Sequence, residues 1–546
     1  MSFLRSFLYS RKYEIILLVI ILFGAFLRFY KLGEIPVGLN QDEASMTIEA
    51  KALLETGKDR WGNPFPVYFP SWGSGQNVLL SYLTVPFIYL FGVSIWSTRV
   101  VSALLGVLAI LLAYNFTLQF NKEKVSKNIA LISAFLMAVL PWPLVATRWG
   151  LESNILPFFL LLGFYTVSLH LQKNTENTFF NQQSWQQKLL YSFSLVPFAL
   201  ALYAYGTSVT VIPIIFILTV LFYRKVILGQ WKSWLVSLGL FVFTSLPIGL
   251  FLLKNYITKV NYSWEQFLPF TAPLLKTNRL DEIGRDAVLN QNYTFILDGF
   301  TDNLAHNTVP GFGTIPSFLL IFSVIGVVYI LYVLYKNRSI ALASRIHEGY
   351  PLLLIWLISC VGNLLVIPAN VNRANVIFIP LILLSVVGIQ AIYNLLPRFK
   401  IVFLSGIVCL LVSYSSIFLP VYFYVYPLQF HFARNLETPF NLIKQNTEPT
   451  LITNKLSIHY AYFLFYTNFP ITQFQAENKN TNYSITRMGN FYSESSDLFA
   501  NKVTHFPFML SNSQNDCSSD DTKTAVETIT YQDTDWKVGY CDVVYK

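Results

Sequence analysis

Asp42 and Glu43 stand side by side in a polar stretch that begins where an apolar run, Tyr13–Tyr30, ends. A second polar turn, Ala146-Thr-Arg148-Trp-Gly-Leu-Glu152-Ser-Asn154, lies between two later apolar runs and places an arginine and a glutamate four residues apart. Carboxylates at a membrane–water boundary can take the proton from a hydroxyl, a poor nucleophile at neutral pH, which is worth ~10²–10⁴-fold in rate. A fixed cation beside them can hold the negative charge that grows on a phosphate leaving group. Each pair also has a plainer reading. Acidic residues are common at helix N-termini, where they meet free amides and the helix dipole. Arg148 and Glu152 could simply bond to each other across one helical turn.

Other polar residues in outer turns widen the candidate set. Arg373, in Ala369-Asn-Val-Asn-Arg373-Ala-Asn375, has only neutral neighbours, so it could take a phosphate or snorkel at the interface. His306, in Asp302-Asn-Leu-Ala-His306-Asn-Thr-Val-Pro310, could touch phosphate or sugar, or be an ordinary loop histidine. Tyr293 and Asp298 share that loop and could shape an acceptor site. The chain has no Walker-type phosphate loop, no His-Glu-x-x-His and no Cys/His zinc spacing.

The elements that must position these groups are membrane helices. Of 546 residues 54% are hydrophobic and 12% charged, with mean hydropathy +0.48. Apolar runs of ~18–24 residues match the helix length that crosses ~30 Å of hydrocarbon, where only helices satisfy the backbone from within. Eleven spans are expected, at 13–30, 97–119, 128–146, 153–171, 188–204, 206–223, 234–253, 316–336, 350–368, 374–393 and 400–420. Tyr13–Tyr30 is read as a retained helix, because Arg28-Phe-Tyr-Lys31 offers no small-residue cleavage site. The net charge of +9 does not point to nucleic acid, since the basic residues flank spans and set orientation.

The apolar run 78–94 decides the topology. If it lies along the outer face, the inner segments (1–14, 120–127, 172–188, 223–233, 336–349 and 396–400) hold sixteen Lys or Arg against four acidic residues. The large outer loops, 31–77 and 254–315, then hold nine against twelve. Short cytoplasmic loops carry a Lys/Arg excess, so this arrangement is preferred, with an inner N-terminus and an outer C-terminal tail. Residues 31–96 then form the first extracytoplasmic loop, with interfacial helices. One of these starts at Asp42 as its cap, carries Met46, Ala50, Leu53 and Leu54 at helical spacing, and stops at Gly57.

The chain divides into a transmembrane catalytic part, 1–420, and a tail, 421–546, expected to be a small extracytoplasmic α/β domain. In the tail, Leu451–Thr453 and Asp542–Tyr545 read as strands and Ile458–Tyr466 as a helix. Cys360 and Cys409 lie within spans and are read as inert packing residues. Cys517 and Cys541, the pair in the tail, could form a disulfide if the tail faces an oxidising compartment.

The order of these features resembles a known family. A span is followed by the Asp42–Glu43 pair, Gly57-Lys-Asp59, Gly62-Asn-Pro-Phe-Pro66 and an interfacial helix ending Leu90-Phe-Gly92. Arg99 then opens the second span, and Arg148-Trp-Gly-Leu-Glu152-Ser-Asn154 follows. This is similar to the membrane glycosyltransferases of the GT-C fold, and most to the family 39 branch of protein O-mannosyltransferases and lipid A aminoarabinose transferases. The resemblance covers about 1–420 and is most specific over 24–172. It implies an inverting transfer from a polyprenyl-phosphate sugar to a lipid, polymer or protein acceptor at the extracytoplasmic face of a plasma (inner) membrane. Asp42 matches the catalytic base, and Glu152 the second acidic residue, where many relatives carry Asp. Glu43 and Glu152 would orient base or acceptor. Arg148, Arg373 and His306 would hold the donor phosphate, and Asn154 and Tyr293 would line the acceptor or sugar pocket. No cofactor is expected. Asp42, Glu43 and Glu152 could converge on a divalent cation, as in oligosaccharyltransferases of the wider fold, but family 39 relatives work without one, which disfavours a metal.

A transporter or lipid flippase of the same size would show repeats, broken helices or charges at mid-depth. Here the polar groups gather at one face. A catalytically silent scaffold of the same fold is the third reading, and an assay of lipid-linked sugar transfer separates it from the first.

Overall fold

The structure is a computed structural model. It describes residues 11–71, 75–120, 125–172, 185–258, 287–302, 304–336, 349–365 and 367–430, and within the tail residues 432, 440, 450–452, 459–479, 485, 487–493, 505–511, 523–530 and 539–545. The possible Cys517–Cys541 pairing falls outside the described residues.

Helices dominate. In chain order they are α1 (Lys12–Phe29), α2 (Gln41–Thr56), α3 (Leu79–Phe91), α4 (Ile95–Leu118), α5 (Lys127–Val139), α6 (Pro141–Ala146), α7 (Glu152–Gln172), α8 (Trp185–Ser192), α9 (Val196–Ala204), α10 (Ser208–Gly229) and α11 (Trp231–Leu252). After these come α12 (Ala287–Leu297), α13 (Ser317–Lys336), α14 (Tyr350–Leu364), α15 (Phe378–Leu395) and α16 (Lys400–Pro420). Among the described residues seven helices are long and apolar enough to cross a membrane, and the chain is an integral multi-pass membrane protein. Among the described residues the expected spans fall largely on helix, that at 350–368 only as far as Leu364. Two are interrupted, at Leu140–Pro141 and at residues 193–195, because proline at the start of α6 and α9 cannot continue the preceding hydrogen-bond ladder.

The last span runs past its expected end. From Pro420 the helix continues through a π turn, Val421–Val425, to Gln429, so a boundary at 420 cuts a continuous element. Beyond it, β3 (Thr450–Ile452) lies between β5 (Phe491–Ser493) and β6 (His505–Ser511), parallel to both. With β4 (Arg487–Met488), β7 (Lys523–Thr530) and β8 (Gly539–Tyr545) they make a six-stranded sheet of order β4-β5-β3-β6-β8-β7. The expected strands and the helix near 459 all occur.

This tail packs on α2. Leu39, Ala44, Ile48 and Ala52 share one buried cluster with Phe440, Phe463, Leu464, Ile471 and Phe474. Lys51 Nζ donates to the Phe469 carbonyl (2.7 Å) and the Tyr462 hydroxyl to the Leu39 carbonyl (3.2 Å). A short helical pair, His459–Thr467 and Ile471–Glu477, thus braces the helix that carries the acidic pair.

Candidate active site

The start of α2 differs from expectation in a way that matters. Its cap is Asn40, whose side chain accepts from the Asp42 amide (2.8 Å), while the Glu43 carboxylate reaches back to the Asn40 amide (3.0 Å). This is a capping box, and it releases Asp42 from the capping role. Gly57 ends the helix in the left-handed conformation (φ 67°), as its position requires.

Glu43 is wholly buried and wholly engaged. Arg99, at the start of α4, donates to it through Nε (2.7 Å) and Nη2 (2.9 Å), and the Gly150 amide donates at 2.8 Å. Arg99 also holds the carbonyls of Leu32, Pro36 and Gly38. A side chain at Gly150 would put its Cβ 2.7 Å from the Thr98 carbonyl oxygen, so only glycine lets this amide come so close. Glu43 therefore orients the loop, not a substrate.

That contact also fixes the topology. If 78–94 crossed the membrane, Asp42 and Gly150 would face opposite sides. Glu43 touches both Arg99 and Gly150, so α3 returns to the side it left. Ser81 on α3 accordingly bonds the Met46 carbonyl (2.7 Å) and Tyr82 the Pro66 carbonyl (3.0 Å).

The two remaining carboxylates meet at a two-stranded ribbon, β1 (Tyr68–Phe69) with β2 (Gln76–Asn77). Half-buried Asp42 accepts from Gln76 Nε2 (3.3 Å), and Glu152 accepts from the Asn77 amide. Adjacent residues thus carry both acids into one place. Asn375 Nδ2 donates to the Ser153 carbonyl, which brings the Arg373 loop against the start of α7. Asp302 ties that loop to the His306 loop, accepting from the Val371 amide (2.9 Å), the Leu304 amide (3.1 Å) and Asn307 (2.7 Å). His306 lies against Trp149 and Phe432, and burial lowers its pKa, with Asp302 opposing.

Two candidates lie apart from the Asp42–Glu152 pair. Arg148 does not pair with Glu152. Its guanidinium is buried on the carbonyls of Leu27, Arg28, Tyr30, Lys31 and Ile35 at 2.6–3.3 Å, which include orphan acceptors of the last turn of α1 and carbonyls of the loop after it. Tyr293 is 62% exposed on α12 and does not join the cluster, because the buried face of α12 is given to Asn292 and Phe295. Asn154 is buried, bonded back to the Trp149 carbonyl (3.5 Å), and lines a small cavity with Arg28, Trp142 and Pro157. No group of three metal-binding side chains occurs among the described residues.

Residues 67–263 match a family model described as dolichyl-phosphate-mannose-protein mannosyltransferase. The match includes Glu152 and begins after Asp42. Comparison with curated proteins gives no match. Among solved structures, ArnT from Cupriavidus metallidurans bound to undecaprenyl phosphate is 12% identical with TM-score 0.54, over 98% of each chain. The chain has the GT-C fold. The Archaeoglobus fulgidus oligosaccharyltransferase tethered to an acceptor peptide is 17% identical with TM-score 0.56, over 93% of this chain and 70% of that one. For AglB, the archaeal oligosaccharyltransferase, with an inhibitory peptide and a dolichol-phosphate, the values are 16% and 0.52. The chain covers 64% of that protein. The resemblance read from the GT-C residues is thereby met at the level of fold.

Sequence reasoning missed Gln76, the dual role of Arg99 and the buried Lys254 just past α11. Gln76 and Asn77 carry no motif. Asn40 with Glu43 three residues on was a legible capping box.

Proposed function

We propose that this chain is an inverting glycosyltransferase that moves a sugar from a polyprenyl-phosphate carrier to an acceptor hydroxyl at the extracytoplasmic face. Asp42 is the general base. The observation that carries the reading is the convergence of Asp42 and Glu152 on Gln76–Asn77. The known lipid-phosphate complexes of ArnT and AglB and the family match support the donor class.

Asp42 takes the acceptor proton as the hydroxyl oxygen bonds to the anomeric carbon from the face opposite the phosphate. The anomeric C–O bond breaks and its electron pair leaves on the lipid phosphate. Arg373 is the cation offered to that charge, and Glu152 orients the acceptor. Glu43 and Arg148 serve the scaffold. The excess of Lys and Arg on the opposite side supports a cytoplasmic N-terminus.

The test is sugar transfer from, or hydrolysis of, a polyprenyl-phosphate sugar in vesicles, paired with mass spectrometry of lipid-linked sugars and glycans in cells lacking the chain. Asp42→Asn should reduce turnover by about 10²–10⁴-fold while membrane insertion is retained. Full turnover in that variant removes Asp42 from the reaction.

A further inference from the structure

Asp42 is the end of a hydrogen-bonded chain whose donors all point one way. Arg60 Nη2 donates to Ser45 Oγ (2.8 Å), Ser45 Oγ donates to Gln76 Oε1 (2.6 Å), and Gln76 Nε2 donates to Asp42 Oδ1 (3.3 Å). Arg60, Ser45 and Gln76 are all buried. The polarity follows from the two ends. A guanidinium only donates and an ionised carboxylate only accepts, so Gln76 turns its nitrogen to Asp42 and takes the Ser45 proton on its oxygen. The bond from Ser45 holds the Gln76 amide in that orientation.

The cation itself is anchored. Arg60 Nε meets Glu49 at 2.8 Å and its amide donates to the same carboxylate at 2.9 Å, while Ser71 Oγ takes a second bond from Nη2 (3.1 Å). The tail closes the far side. Tyr460 lies 5.4 Å under the guanidinium, and Gln475 Nε2 donates to the Asp59 carbonyl at 2.7 Å. In a buried setting such a chain polarises along its length, each bond strengthening the next.

We propose that Gln76 is a positioning residue for the transfer reaction, set by Ser45 and Arg60 so that its amide orients Asp42 and favours its ionised form. The inference rests on Asp42 being the base. A base must be ionised and correctly aimed when the acceptor arrives, and a donor fixed from behind supplies both. The other titratable groups around Asp42 are already committed or set back. Glu43 is held by Arg99 and Gly150. Glu152 is held across Asn77. Tyr462 of the tail stays protonated, its pKa raised by burial and then by Tyr466, Glu43 and Asp42.

The experiment compares Gln76→Met and Ser45→Ala with the parent in vesicles, with Asp42→Asn as reference. Turnover should fall about 10- to 100-fold with the KM for the lipid donor little changed. The acidic limb of the kcat/KM profile should move up by about half a unit to one unit, because a bond to the charged form is lost. Carbodiimide labelling of Asp42 against pH, read by mass spectrometry, reports the same shift without any substrate. A residue that merely fills space would lower the yield of folded protein and leave both midpoints in place. Unmoved midpoints in Gln76→Met and Ser45→Ala overturn the proposal. If instead Asp42→Asn keeps full turnover while the labelling midpoint moves, the positioning stands and the assignment of the base fails.

Discussion

Asp42 and Glu152 are held by consecutive residues of one short strand, the first by the Gln76 side chain and the second by the Asn77 amide. Two acids separated by two transmembrane segments thus depend on a single ribbon for their mutual position. The ribbon is in turn fixed by Tyr68, whose ring stacks on Phe251 of α11 at 4.4 Å. Glu152→Gln keeps an acceptor for the Asn77 amide, so folding should be retained while transfer falls at least tenfold. Glu152→Ala leaves a buried amide without its partner, at a cost of about 1–3 kcal/mol. Its thermal stability in detergent should drop where that of Glu152→Gln does not.

Glu43 and Arg99 predict a different signature. Both side chains are fully buried, and removing one partner leaves the other charge stranded, which costs about 3–5 kcal/mol. Glu43→Leu or Arg99→Leu alone should unfold at much lower temperature. The double substitution should lose less than the sum of the two, though the carbonyls that Arg99 holds and the amides of Asn40 and Gly150 stay without their partners. Independent, additive losses in the thermal scans would count against the pair as a unit.

Arg148 and Arg373 separate structure from substrate. Arg148 binds carbonyls in a forked geometry that lysine cannot copy, so Arg148→Lys should lower thermal stability by about 1–3 kcal/mol. Arg373 lies half-buried on the outer loop, with its amide bonded to Asn370 and Nη1 to the Pro368 carbonyl (3.4 Å). Arg373→Ala should leave stability nearly unchanged and reduce transfer, with the affinity for the lipid donor falling tenfold or more. Donor titrations of the two variants decide between these roles.

The spans, the acidic loop, the interfacial helix and the end of α2 at Gly57 were legible because each is written in local periodicity or in one turn residue. That Asp42 and Glu152 share one side was legible from the balance of charge across loops. What local pattern could not supply is the partner of a buried ion. Arg148 stands four residues from Glu152, and the short-range reading pairs them. The fold instead sends Arg148 to the end of α1 and Glu152 to Asn77, because unsatisfied carbonyls and a strand amide reach those positions only after packing. The outward placement of Tyr293 was unreadable for a related reason. Its loop placement was readable, but which side of α12 faces the bundle depends on Asn292 docking against the carbonyls of Leu364 and Ile367.

The loop that closes behind α2 gives the protein a dependence on pH. Asp59 accepts from the amides of Trp61 and Asn63 and from the Asn63 side chain at 2.7–2.9 Å, yet burial raises its pKa to about 6 from 3.8. Burial likewise pushes Glu49 up to about 8 against the pull of Arg60. A carboxyl whose pKa is higher folded than unfolded binds more protons in the native state, so stability falls as pH rises through that interval. The Asp59 contribution is complete below pH 3.8 and gone above about 6, a loss of roughly 3 kcal/mol for a shift of about two units. Asp59→Asn keeps the acceptor for both amides, and a flip of Asn63 restores the side-chain bond. Thermal stability in detergent should therefore weaken more steeply from pH 4 to 6 in the parent than in the variant, whose remaining decline comes from Glu49, raised from 4.5 to about 8. Between pH 6 and 8 both should decline together, since Glu49 is intact in each. Parallel curves across pH 4 to 6 would show that Asp59 is ionised throughout, and that its three donors outweigh its burial.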